Sequence, residues 1–87
     1  MQTIEIYGTQ TCVFCERAKT LLRLRGYEFV YHDLTNDPDR QAEFTARTHG
    51  ARTVPQIFVG ATLIGGFTAL ERADEAGELS DLVALGA

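Results

Sequence analysis

The chain has 87 residues, of which 45% are hydrophobic and 23% are charged, and its formal net charge is -4. This length predicts one domain, 1–87, and this composition is typical of a folded globular protein, which argues against disorder. The negative charge argues against a general binder of nucleic acid or of anionic membranes, and no apolar run approaches the roughly 20 residues that span a bilayer.

The beginning of the sequence, Met1 to Glu5, has neither a basic segment nor a long apolar segment of the kind found in signal peptides. We therefore expect a cytoplasmic protein. A reducing cytosol keeps most thiols free. Two cysteines three positions apart in such a compartment indicate redox or metal chemistry before they indicate a structural disulfide.

The first strand and the first helix are predicted from their hydrophobic spacing. Thr3–Tyr7 alternates and is rich in β-forming residues, which predicts a strand. Apolar residues then recur at helical spacing over 13–25, and Gly26 follows the last of them. Either Thr11 or Cys12 is expected to be the N-cap of this helix.

A second strand and a second helix follow. Tyr27–Asp33 predicts the strand. Asp37 and Pro38 together predict a helix start, because Asp is a favoured cap and Pro suits the first helical position. The helix is expected over 38–49 and to end at Gly50.

The last part of the chain predicts a hairpin and a helical end. Pro55–Val59 and Thr62–Ile64 are predicted strands, joined by the short turn Gly60-Ala61. The segment 67–85 is predicted to form one or two short helices, divided near Gly77.

The order β-α-β-α-β-β-α predicts an α/β fold with a four-stranded mixed sheet flanked by helices on both faces. The first two strands should be parallel with a right-handed crossover, and the last two should form an antiparallel hairpin. The residues predicted to form the core are Leu21, Leu22, Phe29, Phe44, Phe58, Leu63, Leu70, Leu82 and Leu85.

Five further residues are interpreted as structural or solvent-facing. Tyr7 and Tyr31 are read as sheet residues without a catalytic role. Glu16, Arg23 and Arg25 are predicted to form a solvated helix face.

The segment Cys12-Val13-Phe14-Cys15 lies at the junction of the first strand and the first helix. Residues three apart share a helix face, so the two sulfurs can meet. A helix N-terminus offers unpaired N–H groups and a partial positive charge, which favour a thiolate. We expect Cys12 to be the attacking sulfur and Cys15 the resolving one. The helix end should make Cys12 above all a good leaving group, because nucleophilicity falls as acidity rises.

Two other interpretations of the cysteines are weaker. A structural disulfide closing so short a loop would contribute only about 2 kcal/mol. A zinc site would need His32 and His49, whose spacing fits no usual zinc finger. We therefore expect no metal site and interpret both histidines as solvent-facing polar residues.

The second motif is Arg52-Thr53-Val54-Pro55, which opens the third strand. Proline cannot donate to a sheet ladder and belongs at a strand start or edge. It also suggests a cis Val54–Pro55 bond, although a simple trans strand opener is the alternative.

Four segments together resemble a dithiol glutaredoxin over almost the whole chain: Ile6-Tyr7, Cys-x-x-Cys at 12–15, Arg-Thr-Val-Pro-Gln-Ile-Phe-Val at 52–59 and Gly65-Gly66-Phe67. The resemblance implies a thioredoxin-like fold and the cis bond. It also implies a glutathione-disulfide oxidoreductase with glutathione as co-substrate, which reduces protein disulfides and glutathione mixed disulfides.

The resemblance further implies that the backbone of Thr53 and Val54 binds the cysteinyl part of glutathione opposite Cys12. The family's lysine before the first cysteine is replaced by Thr9, and its acidic residue after Gly-Gly by Thr68, which we expect to cap the last helix. Losing both charges predicts weak glutathione binding. Arg52, with Gln41 or Arg40, is predicted to hold the glycyl carboxylate. The predicted ligand-binding residues are Thr9, Phe14, Gln41, Arg52, Thr53, Val54, Pro55, Gly66, Phe67 and Thr68.

Two alternatives stay open. One is a glutaredoxin-like redoxin that is reduced by thioredoxin reductase and supplies ribonucleotide reductase; such redoxins carry Trp-Ser-Gly-Phe where this chain has Ile64 to Phe67, and it has no tryptophan. The other is an iron–sulfur carrier, because some glutaredoxins hold a [2Fe–2S] cluster in a dimer. The expected partners are glutathione and disulfide-containing or glutathionylated proteins, with no nucleic acid or membrane, and we expect a monomer.

Overall fold

The computed structural model describes residues 1–85, which form four strands and four helices in the predicted order. The last helical segment is divided in two at Gly77, as predicted. The elements are β1 Ile4–Gly8, α1 Val13–Leu24, β2 Val30–Asp33, α2 Pro38–Thr48, β3 Gln56–Val59, β4 Thr62–Gly65, α3 Phe67–Glu75 and α4 Glu78–Ala84.

The four strands form one mixed sheet in the order β2-β1-β3-β4. β1 pairs with β2 in parallel and with β3 in antiparallel, and β3 and β4 form an antiparallel hairpin, so the predicted pairings are confirmed. The parallel pairing sets Gly8 beside Asp33 at the carboxyl ends of the two strands. The chain runs from this edge of the sheet into the loop before α1, which carries Cys12 there.

Two apolar clusters, one on each face of the sheet, form the core. The larger holds Ile4, Ile6, Ala18, Leu22, Ile57, Val59, Leu70, Ala73, Leu79 and Val83, so α1, α3 and α4 cover one face. The smaller holds Tyr7, Leu34, Phe44 and Phe58 and places α2 on the other. Helices on both faces are therefore confirmed.

The prediction that Leu63 and Leu85 belong to the core is wrong. Leu63 is 37% exposed and Leu85 is 58% exposed. Leu63 pairs with Phe58 but lies on the edge strand β4, beyond the extent of the smaller cluster. Leu85 is the C-cap that follows α4. Hydrophobic character predicted burial for both, but neither has a layer above it.

Several predicted boundaries shift by one to three residues. The prediction started β2 at Tyr27, but the Tyr27 N–H donates to the carbonyl of Leu22, which holds it to the end of α1. β2 therefore begins only at Val30. β3 begins after Pro55, which has no N–H to pair. His49 ends α2 in the left-handed conformation, with φ 57°.

Arg25 does more than face solvent. It is the C-cap of α1, and two nitrogens of its guanidinium donate hydrogen bonds to the carboxylate of Asp74 at 2.8 to 3.1 Å. The Asp74 side chain is only 11% exposed. Arg25 is itself exposed, as predicted, and its ion pair with Asp74 also joins the end of α1 to α3.

The edge of the sheet opposite Cys12 is closed by backbone hydrogen bonds. The Gln2 N–H donates to the Val83 carbonyl at 2.9 Å, and the Gly60 N–H donates to the Thr3 carbonyl at 2.8 Å. The segment before β1 is thereby bound to α4 and to the hairpin turn. Among residues 1–85, none of the helices has the length and apolar character to span a membrane.

Candidate active site

Cys12 is the N-cap of α1, with an extended backbone at φ -111° and ψ 112°. Its Sγ accepts a hydrogen bond from the backbone N–H of Cys15 at 3.1 Å and lies 3.8 Å from the carbonyl oxygen of Val54. The side chain is half-buried. The sulfur therefore lies at the positive end of the helix and remains partly accessible, which suits a nucleophile.

Cys15 is fully buried, in contrast to Cys12. Burial, and then the hydrogen bond with Cys12, raise the pKa of the Cys15 thiol to about 11. The Thr9 backbone and the Tyr31 hydroxyl act in the opposite direction. At neutral pH Cys15 is therefore a thiol out of reach of large reagents.

This asymmetry predicts selective alkylation. In the reduced protein at pH 7, iodoacetamide should label Cys12 first and leave Cys15 unmodified. With a pKa of about 11, Cys15 has roughly 300-fold less thiolate at pH 7 than a free cysteine. Mass spectrometry after proteolysis measures the two sites separately.

The control for alkylation is Cys12→Ser. This variant should stay almost unlabelled at pH 7 and become reactive only as the pH approaches 10 or above. Equal labelling of both sulfurs at neutral pH would contradict the assignment.

The loop before α1 is fixed to the end of β2 by side chains that the sequence analysis missed. The Gln10 amide donates to Asp33 at 3.0 Å, and the Gln10 N–H donates to Thr35 Oγ1 at 3.2 Å. The Thr35 N–H in turn donates to Asp33 Oδ1 at 2.9 Å and is the largest cause of the lowered pKa of that carboxyl. The Asp-x-Thr pattern is typical of such a turn and was the available signal.

Gly8 lies directly beneath Cys15 and the hydroxyl of Tyr31. A Cβ placed on Gly8 would overlap the hydroxyl of Tyr31 and would lie 2.7 Å from the Cys15 Sγ. Real Cβ atoms essentially never make contacts this close. The end of β1 must therefore be glycine if Cys15 is to lie against the strand.

A groove of about 190 Å³ runs beside Cys12. It brings together seven of the ten predicted ligand-binding residues. The Val54–Pro55 bond is cis, as the resemblance implied. The rings of Phe14 and Phe67 both line the groove and pack together, with their centroids 5.9 Å apart. The lining residues are Phe14, Thr53, Val54, Pro55, Gly66, Phe67 and Thr68.

The remaining three predicted residues do not line this groove. Thr9 accepts the Tyr31 hydroxyl with its backbone carbonyl. The Gln41 amide nitrogen donates to the Leu34 carbonyl at 2.8 Å. Arg52 is exposed beside Thr53 and, among residues 1–85, makes no ion pair. Of the cations predicted to hold a carboxylate, Arg52 is therefore the available one.

Arg40 forms a surface ion pair, and Thr68 differs from its predicted role as a helix cap. The Arg40 guanidinium pairs with Glu43 at 2.9 Å. The N-cap of α3 is Gly66, without a side-chain hydrogen bond, so the prediction that Thr68 caps this helix is wrong. Thr68 lies inside the first turn, is exposed and lines the groove.

Apolar surface borders the site on the side of α1. Val13 is 65% exposed and Phe14 is 51% exposed, although both are large hydrophobic residues. A second cavity, of about 480 Å³, continues along α1 past Leu24 and shares Phe67 with the groove. Cys12 is thus flanked by apolar surface that a polypeptide could cover.

The histidines do not form a metal site with the cysteines. Within residues 1–85 no three His, Cys, Asp or Glu side chains cluster as metal ligands would. His49 is exposed as predicted. His32 is not: its Nε2 lies 2.9 Å from Glu5, and its side chain is 13% exposed. It packs over the ring of Tyr7, so the solvent-facing prediction for His32 is wrong.

Comparison with known proteins finds one family. The family model described as glutaredoxin matches residues 4–64. The glutaredoxin of Pseudomonas aeruginosa is 40% identical over 83 residues, which cover 95% of this chain and 98% of the relative. The solution structure of the Brucella melitensis glutaredoxin superposes with a TM-score of 0.83 at 36% identity, covering 100% of this chain and 94% of the other. A crystal structure of the buckwheat glutaredoxin–glutathione complex superposes with a TM-score of 0.82 at 26% identity, covering 94% of this chain and 76% of the other.

Proposed function

Since the chain belongs to the glutaredoxin family and is a thiol–disulfide oxidoreductase, we propose that it reduces protein disulfides and glutathione mixed disulfides with electrons from glutathione. The observation that carries the proposal is the contrast between its sulfurs. Cys12 Sγ is partly accessible at the N-terminus of α1, and Cys15 is buried one turn behind it. This arrangement supports one outer attacking sulfur and one inner resolving sulfur.

The proposed reaction has four exchanges. The Cys12 thiolate attacks a target disulfide, forms a mixed disulfide and expels a thiolate that takes up a proton. Cys15 then attacks the Cys12 sulfur, closes the Cys12–Cys15 disulfide and releases the reduced target. One glutathione opens that disulfide at Cys12, and a second attacks the bound glutathione sulfur, which yields glutathione disulfide and the reduced enzyme.

The groove supports glutathione as the donor. The related buckwheat protein was solved as a glutathione complex. In this chain the Val54 backbone lies across from Cys12, and the rings of Phe14 and Phe67 form an apolar wall. Arg52 is the exposed cation available for a carboxylate. At about 190 Å³ the groove is smaller than the roughly 300 Å³ and more of typical small-molecule pockets, which supports weak binding of glutathione.

A reductase-coupled assay tests this proposal. NADPH consumption is followed with the protein and a glutathionylated substrate, first with glutathione and glutathione reductase and then with thioredoxin reductase alone. We expect turnover only with the first pair. Turnover with thioredoxin reductase alone would assign the protein to the redoxin alternative, and no turnover with either would contradict the proposed function.

A further inference from the structure

Tyr31, which the sequence suggested was an ordinary sheet residue, lies against the resolving sulfur. Its Cα pairs with Ile6 on the central strand β1. Its side chain extends under the loop before α1, where the hydroxyl donates to the Thr9 carbonyl at 2.8 Å. The hydroxyl and the Cys15 Sγ are the two groups that a Cβ on Gly8 would strike. The phenol and the thiol therefore share one small space.

The position of the ring is well defined. Tyr31 packs at the margin of the larger apolar cluster. The Lys19 Nζ lies 3.8 Å from the ring centroid and pairs with Glu16 at 2.8 Å. Burial first, and then the contact with Cys15, raise the pKa of the Tyr31 hydroxyl, so at neutral pH it is a proton donor. Its oxygen is fixed in place, while its O–H bond can still rotate.

The resolving step needs such a donor. Cys15 must attack as a thiolate, yet it is buried where a charged sulfur loses its contact with water. A hydroxyl that donates to the Thr9 carbonyl when Cys15 is a thiol can turn to donate to Cys15 when that sulfur carries charge. A hydrogen bond to a charged acceptor is stronger than one to a neutral carbonyl, so the exchange is favourable.

We propose that Tyr31 donates a hydrogen bond to the Cys15 sulfur during resolution and that it serves this step alone. In this step the Cys15–Cys12 bond forms, the bond between Cys12 and the target sulfur breaks, and the proton from Cys15 ends on the departing target thiol. The inference rests on the dithiol mechanism proposed above. It adds a group that acts on the second sulfur and leaves the first attack unchanged.

Ellman's reagent separates the two steps in one experiment. Attack by Cys12 releases one coloured thionitrobenzoate at a rate that depends on reagent concentration. Attack by Cys15 on the resulting mixed disulfide releases the second at a rate that does not. For Tyr31→Phe we expect the second phase to slow by roughly 10-fold or more, because a hydrogen bond to a charged group is lost. The rate of the first phase should stay within about twofold of the wild-type rate. The control is Tyr27→Phe, which loses a hydroxyl near the other end of the sheet. The rates of both its phases should stay within about twofold of the wild-type rates.

A second substitution guards against misfolding of Tyr31→Phe. Placing 3-fluorotyrosine at position 31 keeps the ring and makes the hydroxyl a stronger donor, so the second phase should accelerate. An unchanged second phase in both variants, or equal slowing of both phases, would overturn the inference. Because no glutathione or reductase is present, this result is independent of the electron donor. A wild-type protein without any second phase would instead refute the dithiol mechanism.

Discussion

Cys12→Ser is expected to reduce the activity by on the order of 1,000-fold or more, to the level of uncatalysed exchange. In the native protein the Cys15 N–H lies 3.1 Å from the Cys12 sulfur at the helix end. A serine hydroxyl is not ionised at neutral pH, so in the variant these groups have no anionic nucleophile to stabilise. The measurement is the rate at which a glutathionylated peptide is reduced by glutathione. Retained activity in this variant would exclude the proposed mechanism.

The matched control for this experiment is Cys15→Ser, which removes the inner sulfur and keeps the outer one. Reduction of glutathione mixed disulfides should continue, because glutathione itself can release the product from Cys12. Reduction of protein disulfides should fall by about tenfold or more, since an intramolecular attack is replaced by a bimolecular one. Equal loss of both activities would contradict the division of roles between the two sulfurs.

Gly8→Ala is expected to destabilise the protein by about 1–3 kcal/mol, the usual cost of overpacking. Its Cβ would overlap the Tyr31 hydroxyl and lie 2.7 Å from the Cys15 Sγ, so these two side chains or the elements that carry them would have to shift. Urea unfolding followed by circular dichroism measures the loss. We also expect slower resolution by Cys15, because the two sulfurs would no longer be held in register.

Gly66→Ala serves as the comparison for Gly8→Ala. Its Cβ would meet only the Pro55 carbonyl oxygen at 3.6 Å, an ordinary contact. Gly66 is the N-cap of α3, where alanine is a poor cap, so a loss of up to about 1 kcal/mol is expected from capping alone. A Gly8→Ala protein as stable as Gly66→Ala would show that β1 and α1 separate without cost.

The fold was predictable because hydrophobic residues recur along each helix and strand at the spacing typical of that element. The helices keep an apolar stripe, and glycines interrupt the pattern at 26, 50 and 77, where the structure has positive φ angles. The errors came from burial that depends on neighbouring elements. Leu63 looks like a core residue in its strand, but whether a strand is central or at the edge is decided by residues far away in the sequence.

The site was predictable only where its residues belong to short sequence motifs. The Cys-x-x-Cys segment, the residues around Pro55 and the segment after the Gly-Gly pair all line the groove or flank it. The supporting contacts were not predictable. Tyr31 reaches the carbonyl of Thr9, 22 positions away, and Gln10 reaches Asp33, 23 positions away. Nothing local in either stretch indicates which distant group a side chain will meet.

The backbone hydrogen bond between the Gln2 N–H and the Val83 carbonyl has a practical consequence. It holds both of these residues at one edge of the sheet, while Cys12 follows the other end of β1, a five-residue strand. At about 3.3 Å per residue that strand alone separates the two edges by roughly 15 Å. A probe or surface attached beside Gln2 would leave the Cys12 sulfur facing the solution, which favours immobilised or reporter-fused forms of this protein.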